Sequence, residues 1–419
     1  MTDCIIPEGY KKTKIGVIPV EWNVTILEHL CLNKGDYGIN APAVPYSKGL
    51  PTYLRITDID DDGRFITGNK TSVDNSNNEN YHLKEGDIVF ARTGATVGKT
   101  YLYNPNDGDL VFAGFLIRFS PDTKQIDPYF LKAYTNTTIY WKWIKIVSQR
   151  SGQPGINAKE YCSLQIPVPS LIEQKKISEV LNIWDKAIEK QTQLIDKLEL
   201  RKKGLMQQLL TGKKRLPGFS GEWKKVKLGD ICEKVTRKNT EDNKNVMTIS
   251  AQQGFVIQTD FFNKSVASET LESYYLVLRD EFCYNKSYSN GYPMGAIKRL
   301  TEADKAVVTS LYICFNVKSS IRVSIDYLSY YFDYGGLNRG LTKIANEGGR
   351  AHGLLNVTPT DFFRLVFDIP YYEEQNAIAQ VLTATDHEIE IAQQKLALLR
   401  QQKHGLMQQL LIGKKRVKI

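Results

Sequence analysis

Three short loops carry side chains that can hydrogen-bond to the edges of DNA bases. They span residues 148–154 (SQRSGQP), 285–292 (NKSYSNGY) and 346–352 (NEGGRAH), and each contains glycine among polar residues. Arginine offers guanine two parallel donors, while asparagine and glutamine offer adenine a donor and an acceptor, so such residues can read a base sequence. Solvated turns have the same composition, so each loop alone is weak evidence.

The candidate DNA-binding set also includes polar and aromatic residues outside these loops. Lysines and arginines in the set suit phosphate as well, which positions a duplex without specifying its sequence. The full set is Tyr53, Arg55, Arg92, Thr93, Lys99, Ser148, Gln149, Arg150, Gln153, Asn285, Lys286, Tyr288, Asn290, Tyr292, Arg339, Lys343, Arg350 and His352.

Motifs that would indicate catalysis are incomplete. Residues 94–100 (GATVGKT) resemble a phosphate-binding loop, but three residues rather than four separate the glycines, which favours a glycine-rich turn. Residues 58–63 begin like a calcium loop, but Asn69 stands where a bidentate glutamate is required, which favours an acidic β-turn. Asp127 before Pro128 is typical of a helix N-cap. With no dinucleotide fingerprint, zinc-protease motif or nucleophile elbow, the sequence predicts a binding protein.

Composition is consistent with an intracellular binding protein. The chain has 419 residues, 42% of them hydrophobic, which is enough for two or three cores. A net charge of +9 favours an anionic partner, although solvated lysines explain many such cases. The six cysteines show no metal-ligand spacing, which suits a reducing cytoplasm. We find no signal peptide or membrane-spanning run and expect a cytoplasmic location.

An internal repeat must position these loops. Residues 204–215 (GLMQQLLTGKKR) recur as 405–416 (GLMQQLLIGKKR), with eleven of twelve residues shared at an offset of 201. Glu21-Trp22 recurs as Glu222-Trp223 at the same offset, whereas residues 33–150 and 234–345 differ. A duplicated scaffold with different inserts suits the reading of two different targets at a fixed separation.

Each repeat ends in a long amphipathic segment. Residues 171–210 and 371–411 carry apolar residues at alternating spacings of four and three, which predicts two helices with heptad seams that pair. Ser170 with Glu173 forms a capping-box pattern, and Gly212 and Gly413 suit left-handed C-caps. A helix of about 40 residues spans roughly 60 Å, which suits a spacer.

The inserts are predicted to form two similar compact domains of mixed α and β structure. β-prone runs bounded by Gly, Asn, Asp and Pro indicate short strands in both. The main runs are residues 53–58, 87–92, 99–103 and 110–119 in the first insert and 246–250, 281–285 and 306–316 in the second, with helices near 128–146 and 327–334.

This organisation resembles the specificity subunits of Type I restriction-modification systems. The resemblance covers the whole chain and rests on the E-W motif opening each half, IPVPSLIEQKKI at the first helix and GLMQQLL-x-GKKR closing both. It implies an α+β fold in which two target recognition domains are separated by two long helices that pair as an antiparallel coiled coil. The implied boundaries are 1–168 and 213–369 for the recognition domains, and 169–212 and 370–419 for the helices.

The resemblance also implies partners. Each recognition domain would read half of a split, asymmetric site in double-stranded DNA, and the helices would dock two methyltransferase subunits and thereby the restriction subunits. S-adenosylmethionine, ATP and Mg²⁺ would belong to those partners, with no cofactor or metal in this chain. The second helix-entry motif departs from the first, with Asn376-Ala377 where Lys175-Lys176 stand. The implied partner-binding residues are Glu173, Gln174, Ile177, Leu205, Met206, Leu209, Glu374, Gln375, Ile378, Leu406, Met407 and Leu410.

Two other functions remain open from the residues alone. A stand-alone DNA-binding regulator would use the same two readers, but its coiled coil should be polar outside the seam. A self-sufficient modification enzyme would require a cofactor motif, and we find none. Apolar residues outside the seam favour partner helices, although they could instead thicken the core: Ile172, Val180, Ile183, Leu194, Met206 and Leu210.

Overall fold

The computed structural model describes residues 6–259, 271–345 and 355–418. The chain forms two compact units: Met1–Thr192 together with Lys395–Ile419, and Gln193–Gln394. Each unit therefore contains one insert together with parts of both long helices. The boundaries that the sequence implies between recognition domains and helices stay predictions.

The first unit is built on two four-stranded sheets. One has the order β10-β6-β7-β5 and the other β4-β11-β8-β9, and β12 pairs with β3. Its strands are β1 (Tyr10–Thr13), β2 (Gly16–Pro19), β3 (Asn23–Ile26), β4 (Asp36–Tyr37), β5 (Val44–Pro45), β6 (Thr52–Leu54), β7 (Thr71–Ser72), β8 (Ile88–Ala91), β9 (Thr100–Leu102), β10 (Leu110–Phe112), β11 (Leu116–Phe119) and β12 (Gln165–Val168). Its helices are α1 (Leu27–Leu30), α2 (Pro128–Tyr134), α3 (Thr138–Val147), α4 (Ala158–Cys162) and the start of α5 (Leu171–Leu209).

The second unit repeats part of this plan. Its four-stranded sheet has the order β14-β21-β18-β19, and β13 pairs with β22 as β3 pairs with β12. Its strands are β13 (Lys224–Lys227), β14 (Cys232–Lys234), β15 (Met247–Ser250), β16 (Gly254–Ile257), β17 (Tyr275–Leu278), β18 (Phe282–Asn285), β19 (Ala296–Arg299), β20 (Lys305–Val308), β21 (Ile313–Val317) and β22 (Val366–Ile369). Its helices are α6 (Leu228–Ile231), α7 (Ile325–Asp333), α8 (Asn338–Ile344), α9 (Pro359–Phe363) and the start of α10 (Tyr372–Leu410).

The α+β fold class is confirmed, with differences in detail. The helix predicted over residues 128–146 is two helices, because the Thr137 side chain accepts a hydrogen bond from the Tyr140 N–H and caps a new helix. The single runs predicted over 110–119 and 306–316 are each two strands. The run predicted over 53–58 ends as a strand at Leu54 and continues as a 3₁₀ turn, because the Asp58 carboxylate accepts from the Arg55 N–H.

The two long helices, of 39 residues each, pack antiparallel. In the first unit, Ile177 and Leu181 near the start of α5 share a core with Met407 and Leu410 at the end of α10. The second unit has the reciprocal contact, in which Ile378 and Leu382 of α10 share a core with Met206, Leu209 and Leu210 of α5. The seam predicted from heptad spacing is therefore the surface on which the helices pair.

Both long helices end at their predicted caps. Gly212 and Gly413 have φ of +69° and +72°, the left-handed conformation that glycine adopts without strain. A Cβ at Gly413 would lie 2.4 Å from Cδ of Pro19, so this turn also requires glycine for close approach to the N-terminal hairpin. Tyr10 reinforces the contact by donating from its hydroxyl to the Gly413 carbonyl at 3.0 Å.

A buried glutamate paired with a partly exposed arginine fixes the entry to each long helix. In the first unit, Arg416 Nε lies 2.5 Å from Oε1 of Glu173, whose carboxylate also accepts from Trp22 Nε1 at 3.1 Å. In the second, Arg215 Nε lies 2.5 Å from Oε1 of Glu374, which is 1% exposed. Trp223 Nε1 is buried there without a hydrogen-bond partner among the described residues. Glu374 therefore depends on its arginine more than Glu173 does.

We expect Arg215→Ala to lower the free energy of unfolding by about 3 kcal/mol, because it leaves a buried carboxylate without its cation. Arg416→Ala should cost less, because Trp22 still donates to Glu173. Urea-induced unfolding of the full chain, followed by circular dichroism, measures both changes. Adding Glu374→Gln to Arg215→Ala should recover most of the loss, since it removes the orphaned charge. Equal losses for the two arginine variants would contradict the prediction.

Candidate nucleic-acid interface

Two loops that are distant in sequence meet at one edge of the first unit. Strand β8 ends at Ala91, and the Gly94 N–H that follows it donates to the Pro154 carbonyl at 3.1 Å. Thr93 and Gly155 form an isolated β-bridge, and the Ile156 N–H donates to the Arg92 carbonyl at 2.9 Å. The fold thus brings the predicted residues Arg92 and Thr93 to the loop that carries Gln149 and Gln153. We refer to residues 92–94 with 148–155 as the first loop cluster.

Arg92 is the best placed base-reading candidate in the first loop cluster. Its guanidinium carbon lies 4.8 Å from the centroid of the Tyr37 ring, and Nη1 lies 3.5 Å from the Gly114 carbonyl. Within the described part of the chain, Arg92 makes no ion pair, and its buried Nε has no hydrogen-bond partner. Stacking on an aromatic ring orients the planar fork while leaving donors free, which is the arrangement that recognises guanine.

Two aromatic residues beside Arg92 were not found from the sequence. Tyr37 is 43% exposed, and Phe115, whose carbonyl accepts from the Arg92 N–H at 3.0 Å, is 57% exposed. Large exposed rings next to an unpaired arginine are suited to stacking or to contact with a thymine methyl group. No sequence signal marked them, because Tyr37 and Phe115 lie on a strand and a tight turn brought to Arg92 only by the sheet.

The segment 94–100 is a glycine-rich turn. Gly94–Thr96 forms a 3₁₀ turn, and the chain continues directly into β9 rather than into a phosphate-binding helix. The acidic segment 58–63 is also a turn, in which the Gly63 N–H donates to the Asp60 carbonyl at 3.1 Å. Among the residues that the structure describes, no group of His, Cys, Asp or Glu could hold a metal ion.

Several predicted DNA-binding residues of the first unit have partners within it. Arg55, Lys99 and Arg150 pair with Asp58 at 2.7 Å, Asp61 at 2.6 Å and Glu160 at 2.5 Å. Ser148 is buried at the end of α3, and Tyr53 is buried with its hydroxyl donating to the Ile39 and Ala41 carbonyls. Burial raises the pKa of Tyr53. The first loop cluster therefore does not include Tyr53, Arg55 or Lys99, and DNA contact by these residues stays a prediction.

The second unit has a corresponding arrangement. Strand β18 ends at Asn285, and the Lys286 carbonyl accepts from the Leu355 N–H at 3.0 Å, as that of Arg92 does from Ile156. The predicted loop 285–292 therefore meets the segment that follows residues 346–352. Arg350 and His352 lie outside the described residues. We refer to residues 285–292 with Leu355 as the second loop cluster.

Some side chains of the second loop cluster are exposed, whereas others form hydrogen bonds within the unit. Tyr288 is 67% exposed, and Asn290 is also exposed. Asn285 is anchored, because its Nδ2 donates to the Ile249 carbonyl at 3.1 Å and its Oδ1 accepts from the Ser287 N–H. The Tyr292 hydroxyl donates to Asp333 at 3.3 Å. Tyr288 and Asn290 are thus the best placed predicted readers here.

Exposed cations lie on the helix that precedes a candidate DNA-binding loop in each unit. In the second unit these are Arg339 and Lys343 of α8, both predicted, and neither pairs with an acid in the described part of the chain. In the first unit, α3 carries exposed Lys142 and Lys145, which the sequence reasoning missed. A pair of cations one helical turn apart, on a helix that leads into a candidate loop, was the signal that the sequence offered. Such cations suit contacts with phosphate.

The predicted partner-binding residues are mostly internal. Glu173 and Glu374 form the buried ion pairs, while Gln174 and Gln375 are buried and accept from the N–H groups of Asp127 and Ser324 at 2.8 and 2.9 Å. Ile177, Met206, Leu209, Ile378, Met407 and Leu410 are buried, and Leu205 and Leu406 are partly buried. Their contact with a partner stays a prediction.

Apolar residues outside the seam divide into two groups. Ile172, Ile183 and Leu194 are 66%, 67% and 45% exposed, so they do leave apolar surface on α5. Met206 and Leu210 are instead buried in the core of the second unit, and Val180 packs partly against that of the first. These three side chains thus contribute to the cores of the chain itself, and their contact with a partner stays a prediction. In the described residues, no helix is both long and apolar enough to cross a membrane.

Comparison with known proteins agrees with this architecture. The putative type I restriction enzyme MjaX specificity subunit of Methanocaldococcus jannaschii is 27% identical over 437 residues, covering 98% of this chain and 97% of that protein. The S subunit of the Type I restriction-modification system from M. genitalium has a TM-score of 0.52 at 14% identity, covering 93% of this chain and 96% of that one. A chain from a structural study of type I R-M complex assembly and conformational transition has a TM-score of 0.57 at 14% identity, covering 95% of this chain and 99% of that one. These two structural likenesses concern the fold alone.

A family model settles the assignment. The model described as the Type I restriction modification DNA specificity domain matches the chain twice, over residues 19–200 and 220–401. The two matches begin at the same offset as the internal repeat and together span well over half of the sequence. The chain therefore belongs to the Type I restriction-modification DNA specificity family and is the non-catalytic specificity subunit of such a system.

Proposed function

We propose that each loop cluster reads one half of a split DNA site, and that the paired helices set the distance between the halves. The observation that carries the proposal is the recurrence of one arrangement in both units. In each unit the residue that follows a strand, Arg92 or Lys286, accepts a hydrogen bond at its carbonyl from a second segment of the chain. The two strands hold the same place in sheets of the same strand order. Because the inserts differ in sequence, the two halves of the site would differ.

Two copies of a methyltransferase subunit are the proposed partners on the helices, and restriction subunits would join through them. The exposed Ile172, Ile183 and Leu194 support this assignment, because isolated apolar side chains on a long charged helix suit burial against another protein. S-adenosylmethionine, ATP and Mg²⁺ would be held by those subunits. The same surface argues against a stand-alone regulator, whose coil should be polar outside its seam.

We expect Arg92→Ala in the reconstituted complex to relax the specificity of one half-site at one base position. The loss of a bidentate contact should reduce discrimination there by about 1–3 kcal/mol and leave the other half-site unchanged. Adenine methylation of a DNA library randomised at each specified position measures the change.

A matched control uses cations that should contact phosphate. Lys142→Ala and Lys145→Ala should weaken binding to all sequences and each lower the slope of log affinity against log salt by about one. Should Arg92→Ala weaken every sequence equally, Arg92 would be a phosphate contact instead.

Lengthening the helix pair should lengthen the unspecified spacer of the site. One added heptad in α5 after Thr192 and one in α10 after Gln394, where the two units divide, keeps the seams in phase. The addition extends the pair by about 10 Å, or about three base pairs of duplex. Mapping of methylated adenines should show unchanged half-sites and a longer spacer, whereas an unchanged spacer would refute the role of the helices as a ruler. The control is a variant of the same length, in which exposed residues next to Thr192 and Gln394 are substituted and nothing is inserted.

A further inference from the structure

One carboxylate in the first unit joins three separate elements. Asp185 lies on α5, its Oδ1 is 2.6 Å from Nζ of Lys403 on α10, and its Oδ2 accepts a hydrogen bond from the Tyr129 hydroxyl on α2. Arg64 approaches the same carboxylate at 3.5 Å. The recognition fold, the start of one long helix and the end of the other thus meet at a single side chain.

The second unit contains the same three-way contact. Oδ2 of Asp386, on α10, accepts from the Tyr330 hydroxyl of α7 at 2.7 Å, and Oδ1 lies 2.5 Å from Nζ of Lys202 on α5. Lys202 also lies 5.7 Å from the centroid of the Tyr330 ring. Tyrosine, aspartate and lysine each recur at the repeat offset of 201. We call each set, Tyr129–Asp185–Lys403 and Tyr330–Asp386–Lys202, a clasp.

Each clasp is the second attachment of a recognition helix. The first attachment is at the N-cap: the Asp127 N–H donates to Gln174 at 2.8 Å, and the Ser324 N–H donates to Gln375 at 2.9 Å. Tyr129 lies two residues after the N-cap of α2, and Tyr330 lies six residues after the N-cap of α7. Together with the core contacts of these helices, a second polar contact beyond the N-cap restricts the angle of each helix more than the N-cap contact alone.

The chemistry of the clasp suits a rigid joint. The Asp185 and Lys403 side chains are only 26% and 17% exposed, so water competes weakly for their charge-assisted hydrogen bonds. Burial, and then the Asp185 charge, raises the pKa of Tyr129, so its hydroxyl stays a donor. In the second unit, burial raises the pKa of Tyr330 in the same way.

The first clasp has additional support from its own insert. Asp62 pairs with Arg400 of α10 at 3.0 Å, and Arg64 lies 3.5 Å from Asp185 itself. Removing one hydroxyl should therefore loosen the second recognition domain more than the first.

We propose that Asp185 and Asp386 are positioning residues that fix the angle of each recognition domain on the helix pair, and thereby restrict the spacer length that the subunit accepts. The inference rests on the proposed reading of a split site. In this view the length of the spacer is selected by the two clasps together with the length of the helices. The identity of the bases is selected by the loop clusters alone.

The test uses Tyr330→Phe in the complex reconstituted with its methyltransferase. Methylation rates are compared on duplexes with the natural spacer, on duplexes with the spacer one base pair shorter or longer, and on duplexes with one altered half-site base. We expect the relative rate on the wrong spacers to rise roughly tenfold, which corresponds to one charge-assisted hydrogen bond, with no change in base discrimination. Lys202→Met should act in the same direction, and Tyr129→Phe should have a smaller effect.

The control is Tyr334→Phe, which removes a hydroxyl just beyond α7 from a residue outside the clasp. It should leave spacer selectivity as in the unaltered chain. If Tyr330→Phe and Lys202→Met form intact complexes with strict spacer selectivity, or lose base discrimination equally, the positioning role is overturned. A failure of the unaltered complex to methylate any split site would instead refute the proposed function.

Discussion

The antiparallel pairing of the two long helices is the constraint on which the rest of the structure depends. A helix of 39 residues with one apolar seam cannot bury that seam alone. In this chain each long helix buries its seam against the other, which is the corresponding helix of the repeat. The start of each helix shares a core with the end of the other. Each recognition fold is then attached where a helix begins, through a buried glutamate, a buried glutamine and the clasp aspartate.

This arrangement separates the residues that hold the fold together from the loop clusters, which we propose to read DNA. In the first unit Trp22, Glu173 and Arg416 make contacts within the protein, and the second unit has the same residue types at these places, as Trp223, Glu374 and Arg215. The loop clusters differ in sequence between the halves, and each includes exposed side chains that follow the end of a strand. The residues of a loop cluster can therefore change without disturbing the contacts that attach its insert to the long helices.

What the sequence predicted well has local causes, and what it missed depends on tertiary contacts. The long helices were placed to within one residue at each end, because the proline before each helix and the glycine after it act on their own neighbours. The break between α2 and α3 was missed because Thr137 sits inside a run that otherwise favours helix. The sequence did not show that Arg55 and Arg150 form salt bridges with Asp58 and Glu160. The ring of Tyr37 beneath Arg92 comes from a strand 55 positions away, which no local pattern reveals.

The return of the C-terminal segment to the first unit has a consequence for biosynthesis. The core that contains Ile18, Trp22 and Ile177 also contains Met407, Leu410 and Leu411, whereas the second unit is one continuous stretch of chain. At the usual ribosomal rate of about 5–20 residues per second, roughly 12–47 s separate the synthesis of Ile177 from that of Leu410. The half of the protein that is made first is therefore completed last. During that interval the first unit lacks the apolar side chains of α10 that complete its core, and the later half can fold before it.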